Sequence, residues 1–257
     1  MPATAVRSGE EGMHEKNRKS FFTALLNFLL PPHCHVCGEF IPRAGRLHIC
    51  SSCRERMPAP TQPICPICGI PFQGAGHDHP CQSCLKHPPH FHAARAALLH
   101  EGPVRDLIHA FKYNARTHLR RPLGLVIVEQ LSDFVTGWRP ELIIAVPLHV
   151  RRLRGRGFNQ ALLLAELLAR EWRIPLQRQT LQRVRWTEPQ ISLTAGQRRE
   201  NVRDAFRVKN ASLVSGKRVL LVDDVFTTGS TVEECSRILM QAGTGELLVV
   251  TVSRVAD

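Results

Sequence analysis

From residue 93 onward the chain alternates short apolar runs with amphipathic stretches. Ala93–Leu99 reads as a strand. Pro103–Tyr113 then places Leu107, Ile108 and Phe111 on one face of a helix. Leu123–Phe134 is helical, Glu141–Val146 a strand and Ala161–Ala169 a strongly apolar helix. Val219–Val222 is a continuous apolar run and Leu247–Val252 is apolar save Thr251, the signature of buried strands. Between them a further helix carries Val232, Cys235, Ile238, Leu239 and Met240. Strands alternating with helices predict a parallel sheet whose ligands sit beyond the strand C-terminal ends.

The first ninety residues follow another logic. Residues 1–17 are polar and aperiodic, which predicts a disordered tail, and Met13 is an alternative start. Residues 18–30 suit a short amphipathic helix that needs a partner surface. Residues 31–90 are rich in Pro, Gly, Cys and His and carry too few apolar residues for a core, so metal must supply their folding energy. Eight of the nine cysteines fall in four C-x-x-C pairs: Cys34/Cys37, Cys50/Cys53, Cys65/Cys68 and Cys81/Cys84. Each pair makes a knuckle pointing two sulfurs at one ion, and two knuckles complete a tetrahedron, which predicts two zinc ions. Pro32–Gly38 echoes Pro63–Gly69, so the halves read as a duplication with one ion each, although interleaved pairing stays open. His77 and His79 lie between the last two pairs and read as loop residues, since eight cysteines already fill two sites.

Charge sharpens the partner question. The 257 residues carry a formal charge of +12, nearly all of the positive part arginine. Counting eight thiolates and two zinc ions leaves about +8, a balance that favours polyanions. No apolar run is long enough to span a bilayer, and Phe21–Leu30 lacks the features of a secretory signal, so a cytoplasmic protein is expected.

Val219–Thr231 holds the sharpest chemistry. A buried strand runs into Asp223-Asp224, then Thr227, Thr228, Gly229, Ser230 and Thr231 open a helix. Backbone N–H groups at a helix start favour a phosphate, while adjacent carboxylates suit a diol or a magnesium ion. The structural alternative is a capping box of Ser230 with Glu233. A second element follows strand 141–146: Leu148 and His149, then a run from Arg151 to Arg156, Gly157, Asn159 and Gln160. Four arginines and two glycines between a strand end and a helix start suit pyrophosphate, or else a basic surface loop. The polar segment 183–206, with Arg183, Arg198, Arg199 and Asn201, suits a mobile lid or a static excursion.

The run 219–231 resembles the 5-phosphoribosyl-1-pyrophosphate (PRPP) motif of type I phosphoribosyltransferases. Matched residue by residue, the resemblance gives Asp223 and Asp224 the ribose hydroxyls and the catalytic place, and gives 227–231 the 5′-phosphate. With the cysteine pairs, Phe111-Lys112-Tyr113, the Arg-Gly-Phe-Asn-Gln run at 156–160 and the lid pattern Arg183, Thr187, Gln190, Leu193, Arg199, Asn201 and Phe206, the chain looks like the ComF family of phosphoribosyltransferase-like proteins over residues 20–255. Trp186 departs from that pattern, in a place where a small or polar residue is expected, and could stack on a base. Trp138 and Trp172 read as packing residues. The resemblance implies an α/β, type I phosphoribosyltransferase-like sheet (91–257) behind a small double zinc ribbon (31–90). It also implies PRPP, magnesium and two zinc ions as ligands, and a link to DNA uptake and utilisation, with single-stranded DNA and DNA-uptake proteins as partners. Three functions stay open: phosphoribosyl transfer to an unknown acceptor, non-catalytic PRPP sensing with single-stranded-DNA binding, and scaffolding by the ribbons.

Overall fold

The computed structural model describes residues 31–42, 45–113, 115–187 and 194–256. The expectations for residues 1–17 and 18–30, and for Gln190 and Leu193 of the lid, fall outside these residues. Elements are labelled in chain order: α1 (Ser51–Glu55), α2 (Gln82–Lys86), β1 (Ala93–Leu99), α3 (Gly102–Tyr113), α4 (Arg120–Trp138), β2 (Leu142–Ala145), α5 (Val150–Arg156), α6 (Gln160–Trp172), β3 (Leu176–Gln177), β4 (Leu181–Arg183), α7 (Ala195–Val202), β5 (Phe206–Val208), β6 (Arg218–Phe226), α8 (Ser230–Gln241) and β7 (Glu246–Arg254).

The main sheet runs β1-β7-β6-β2-β3, with every pairing parallel. Its centre is the pair of continuous apolar runs: Val219–Val222 and Leu247–Val250 are almost wholly buried. α4 and α6 pack on one another and on the sheet. Their close approach depends on Gly124, where an added Cβ would lie 2.9 Å from Leu167 Cδ2. α8 packs on β6 and β7 and carries β5 and α7. Trp172 packs against the core and donates to Ser132 Oγ at 3.0 Å, and Trp138 packs there too, so both are packing residues.

β6 runs on through Asp223 and Asp224 to Phe226, because β7 pairs with it as far as Phe226↔Arg254. The acids therefore belong to the strand's last turns of pleat and not to the loop that the sequence suggests. Five residues later, Gly229 turns the chain at φ +75°, and a Cβ there would meet the Phe226 ring at 2.6 Å. Only glycine satisfies both the positive φ and the contact.

The cysteine region docks on the sheet's edge. β1 has β7 on one side, while on the other Ala94 N donates to Ile67 O at 2.7 Å and Leu99 N to Pro58 O at 2.7 Å. Arg254 donates to Cys68 O and Arg95 to Pro66 O. Backbone groups that would otherwise form an open sheet edge are thus satisfied by the ribbon region. Among the described residues, no helix is long and apolar enough to cross a membrane.

Candidate functional site

The metal clusters are closed geometrically. Cys34, Cys37, Cys50 and Cys53 form one group and Cys65, Cys68, Cys81 and Cys84 another, each with all sulfurs within 4.8 Å. Pairing is sequential, one site per half. A tetrahedron with Zn–S bonds of about 2.3 Å has sulfur–sulfur edges of about 3.8 Å. The cross-knuckle pairs Cys37–Cys50 and Cys68–Cys81 are each 3.8 Å apart. Backbone N–H groups already aim at sulfur: Cys50 N lies 3.4 Å from Cys34 Sγ, and Cys81 N 3.3 Å from Cys65 Sγ. Burial pushes the Cys34 and Cys65 thiols up, but these N–H bonds outweigh it and bring them down to about 6 and about 7. Both clusters fit zinc thiolate sites. His77 and His79 stay outside them, exposed, with the His79 ring stacked on Phe72 at 4.1 Å.

A cleft of about 380 Å³ opens at the C-terminal ends of β2 and β6. Its floor holds Asp223, Asp224 and the turn to α8, with Thr227, Gly229, Ser230 and Thr231 in the lining. Thr228 is not in the lining, but its hydroxyl lies 2.8 Å from Ser230 Oγ. The capping-box alternative does not form. Gly229 is the N-cap of α8 without a side-chain bond, and Glu233 bonds His90 instead of reaching back. The start of α8 is thus left without a side-chain cap, and a helix start of this kind favours an anion.

The two carboxylates differ in their surroundings. Asp223 Oδ1 accepts from Asp224 N at 2.9 Å. Burial, and then the neighbouring carboxylate of Asp224, push the Asp223 carboxyl up to about 7, against the pull of Lys112 and Arg183. Asp224 is 4% exposed and pairs with Lys112 Nζ at 3.1 Å. Its Oδ2 is buried with no hydrogen-bond partner. A buried, unsatisfied carboxylate oxygen beside a second carboxylate fits a diol or a hard cation such as magnesium.

Lys112, Arg152, Arg156, Arg183 and Arg198 line the same cleft, Lys112 in direct contact with Asp224. The basic run is the helix α5 and not an open loop. His149 caps it, Nδ1 accepting from Arg151 N at 3.2 Å, and Gly157 ends it at φ +83° with a bond to Leu153 O. Helix formation uses N–H groups that a loop would have offered, but puts Arg152 and Arg156, four residues apart, on the cleft side. Arg156 donates to Gln160 Oε1 at 2.6 Å and lies over the Tyr113 ring at 5.1 Å. Leu148 and Gln160 also line the cleft.

Other expected site residues do different work. Asn159 caps α6 and donates to Val146 O at 3.0 Å. His149 and Arg151 lie against Trp186, at 5.3 Å and 5.6 Å. Gly157, Arg199 and Asn201 are not in the lining. Arg183 is held by Thr187 and lies over Phe206, and burial followed by the Arg152 charge pushes it down to about 10, still cationic at neutral pH. Helix α7 has its own capping box, Thr194 with Gln197, and the chain behind it is pinned to α8 by Asp204 N on Glu234 and by Arg237 on Asp204. Lys112 and Tyr113 are lining residues that sequence reasoning did not assign to the cleft, and Arg152 is one of the four arginines of the expected run that reaches it. The signal for Lys112 and Tyr113 was their place at the polar end of an amphipathic helix, which says nothing about where that helix end points.

Residues 25–85 match the double zinc ribbon domain family, and residues 159–254 the phosphoribosyl transferase domain family. The DNA utilization protein YhgH of Salmonella typhimurium is 35% identical over 168 residues, covering 64% of this chain and 73% of that protein. Competence protein F of Haemophilus influenzae is 37% identical over 151 residues, 57% of this chain and 66% of that one. Competence protein ComFC of Streptococcus pneumoniae is 25% identical over 149 residues, 58% and 62%. Among solved structures, a purine phosphoribosyltransferase from Pyrococcus horikoshii aligns at 19% identity and a TM-score of 0.32, over 49% of this chain and 79% of that chain.

Proposed function

The chain belongs to the ComF family of phosphoribosyltransferase-like proteins, and from that premise we propose that it binds magnesium–PRPP in the cleft and transfers the phosphoribosyl group to an acceptor, releasing pyrophosphate, in the service of DNA utilisation. One observation carries this reading. A buried acid pair with an unsatisfied oxygen sits beside a helix N-terminus in a cleft lined by five cations. A ligand that is a diol at one point and polyanionic at two others matches all three features.

In this reading Asp223 and Asp224 accept from the ribose 2′- and 3′-hydroxyls, and 227–231 hold the 5′-phosphate. Arg152 and Arg156 neutralise the pyrophosphate as the bond from the anomeric carbon to its oxygen breaks and the acceptor's bond forms. Bound magnesium, held through the acid pair, would supply further charge neutralisation. Such a reaction depends on positioning and charge more than on a protein base. Intracellular PRPP and thiolate-bound zinc both suit the cytoplasm.

A second reading keeps the ligand and drops the chemistry: a PRPP sensor that grips single-stranded DNA. It is favoured by Trp186, whose ring lies within 5.6 Å of both the Arg151 and Arg152 guanidinium groups, an arrangement suited to a stacked base beside a phosphate.

The test is calorimetric titration of magnesium–PRPP into wild type and an Asp223→Ala/Asp224→Ala variant. Two hydrogen bonds to charged groups, at roughly 1.5–3 kcal/mol each, predict at least about a hundredfold loss of affinity. Wild type that fails to bind PRPP sinks both readings. Pyrophosphate release across an acceptor screen then separates enzyme from sensor.

A further inference from the structure

The Lys112–Asp224 ion pair spans 112 residues of sequence and sits inside the cleft. It is an odd pairing for a site open to ligand. The ammonium occupies Asp224 Oδ1, while Oδ2 lies buried and unsatisfied. As the carboxylate stands, any diol or cation that binds Asp224 must compete with the lysine. The Lys112 side chain is 21% exposed, against 5% for Asp224. The lysine is the more exposed partner of a pair that lines the cleft.

We propose that Lys112 is a counter-ion latch: it neutralises Asp224 in the empty cleft, yields that carboxylate to the incoming ribose, and transfers its ammonium to the ligand's pyrophosphate. This deepens, and rests on, the reading of the cleft as a PRPP site. The argument is one of charge. A ligand that takes Asp224 leaves an ammonium without its carboxylate, in a cleft that already holds Arg152, Arg156 and Arg183. Like charges at this separation repel, and partial burial weakens solvent screening. The released ammonium needs a dense negative charge within reach of its flexible stem. Pyrophosphate supplies it, and a ribose 5-phosphate, which lacks the group, does not. His100, whose Nδ1 lies 2.8 Å from Ser253 Oγ, also lies near enough to feel Lys112 and Asp224 and adds no permanent negative charge. Lys112 therefore adds to the preference that Arg152 and Arg156 give the cleft for a pyrophosphorylated sugar over a plain sugar phosphate. The cost of displacing the ion pair is repaid only by the former.

The experiment is titration of PRPP and, separately, ribose 5-phosphate, both with magnesium, into wild type, Lys112→Met, Lys112→Gln and Lys112→Arg. The ratio of the two affinities is the readout. Losing one charge-assisted bond to pyrophosphate weakens PRPP roughly tenfold to a hundredfold. With the latch gone, ribose 5-phosphate binds as well as before or better, so the preference collapses by at least about tenfold in Met and Gln and is partly restored in Arg. Gln keeps a donor for Asp224 Oδ1, so it reports on charge even if Met disturbs folding. Parallel weakening of both ligands, or an unchanged ratio, overturns the latch and leaves the PRPP reading standing. Wild type that binds neither ligand overturns the PRPP reading and the latch with it.

Discussion

Asp223→Asn should make this protein more stable at neutral and alkaline pH, and the gain should vanish in acid. Asp223 is buried in the floor of the cleft, with Asp224, Lys112, Arg183 and Cys235 as its charged or titratable neighbours. Burial and the Asp224 charge outweigh the two cations and raise its carboxyl to about 7. In the unfolded chain the same group titrates near about 3.9. The folded state thus binds the proton more tightly. The stability that this supplies is complete below about pH 4 and is lost as pH rises through about 7. The slope in that window is at most about 1.4 kcal/mol per pH unit, so about 4 kcal/mol is the ceiling for the whole loss. Asparagine is close in shape to the protonated acid, and its Oδ1 can keep the bond from Asp224 N. It removes the ionisation without opening a cavity. The assay is urea unfolding of both proteins at several points from about pH 5 to about pH 8, with the difference in stability plotted against pH. Groups common to both proteins cancel in that difference. A few kcal/mol in favour of the variant near about pH 8, falling to about 1.5 kcal/mol near about pH 5, is expected. A variant that is less stable at the alkaline end, or a difference that is flat with pH, would refute the reasoning. Magnesium–PRPP binding should fall in the same variant, since the carboxylate that costs stability is the one assigned to the ligand.

Two further outcomes follow from the architecture. Cys65→Ser should lower bound zinc from about two to about one per chain, and it should loosen 60–90 to protease. Amide exchange should also rise along β1, whose outer edge is covered by Ile67 and Pro66; unchanged zinc content would count against the Cys₄ assignment. Single-stranded DNA should bind with an affinity that falls steeply with salt, and Arg198→Ala/Arg199→Ala should weaken it across all sequences alike; salt-independent binding in a filter or anisotropy assay would exclude phosphate contacts as its source.

Much of this protein was written locally. The strands around Val219–Val222 and Leu247–Val252 are legible because a parallel strand buried on both faces must be continuously apolar. The cysteine knuckles are legible because two thiolates on one ion need a fixed short spacing. The turn from Phe226 to Ser230 is legible because few sequences bend a strand into a helix within four residues. Each of these is a constraint acting over a handful of bonds. What spacing left open was decided by contacts far apart in the chain. Strand β6 reaches past both acids because β7 supplies partners to Arg254, and nothing near Asp223 announces that. The basic run became a helix because His149 and Gly157 bound its ends, and only then did Arg152 and Arg156, rather than Arg151, face the cleft. Which cysteine pairs share an ion, left open by spacing, is decided by the fold, which brings the four sulfurs of each half within 4.8 Å. Lys112 meets Asp224 only because α3 ends over the tip of β6. A side chain's chemistry is fixed by its own atoms, but its partner and its burial are fixed by the packing of the whole sheet, and those two set what the cleft can hold.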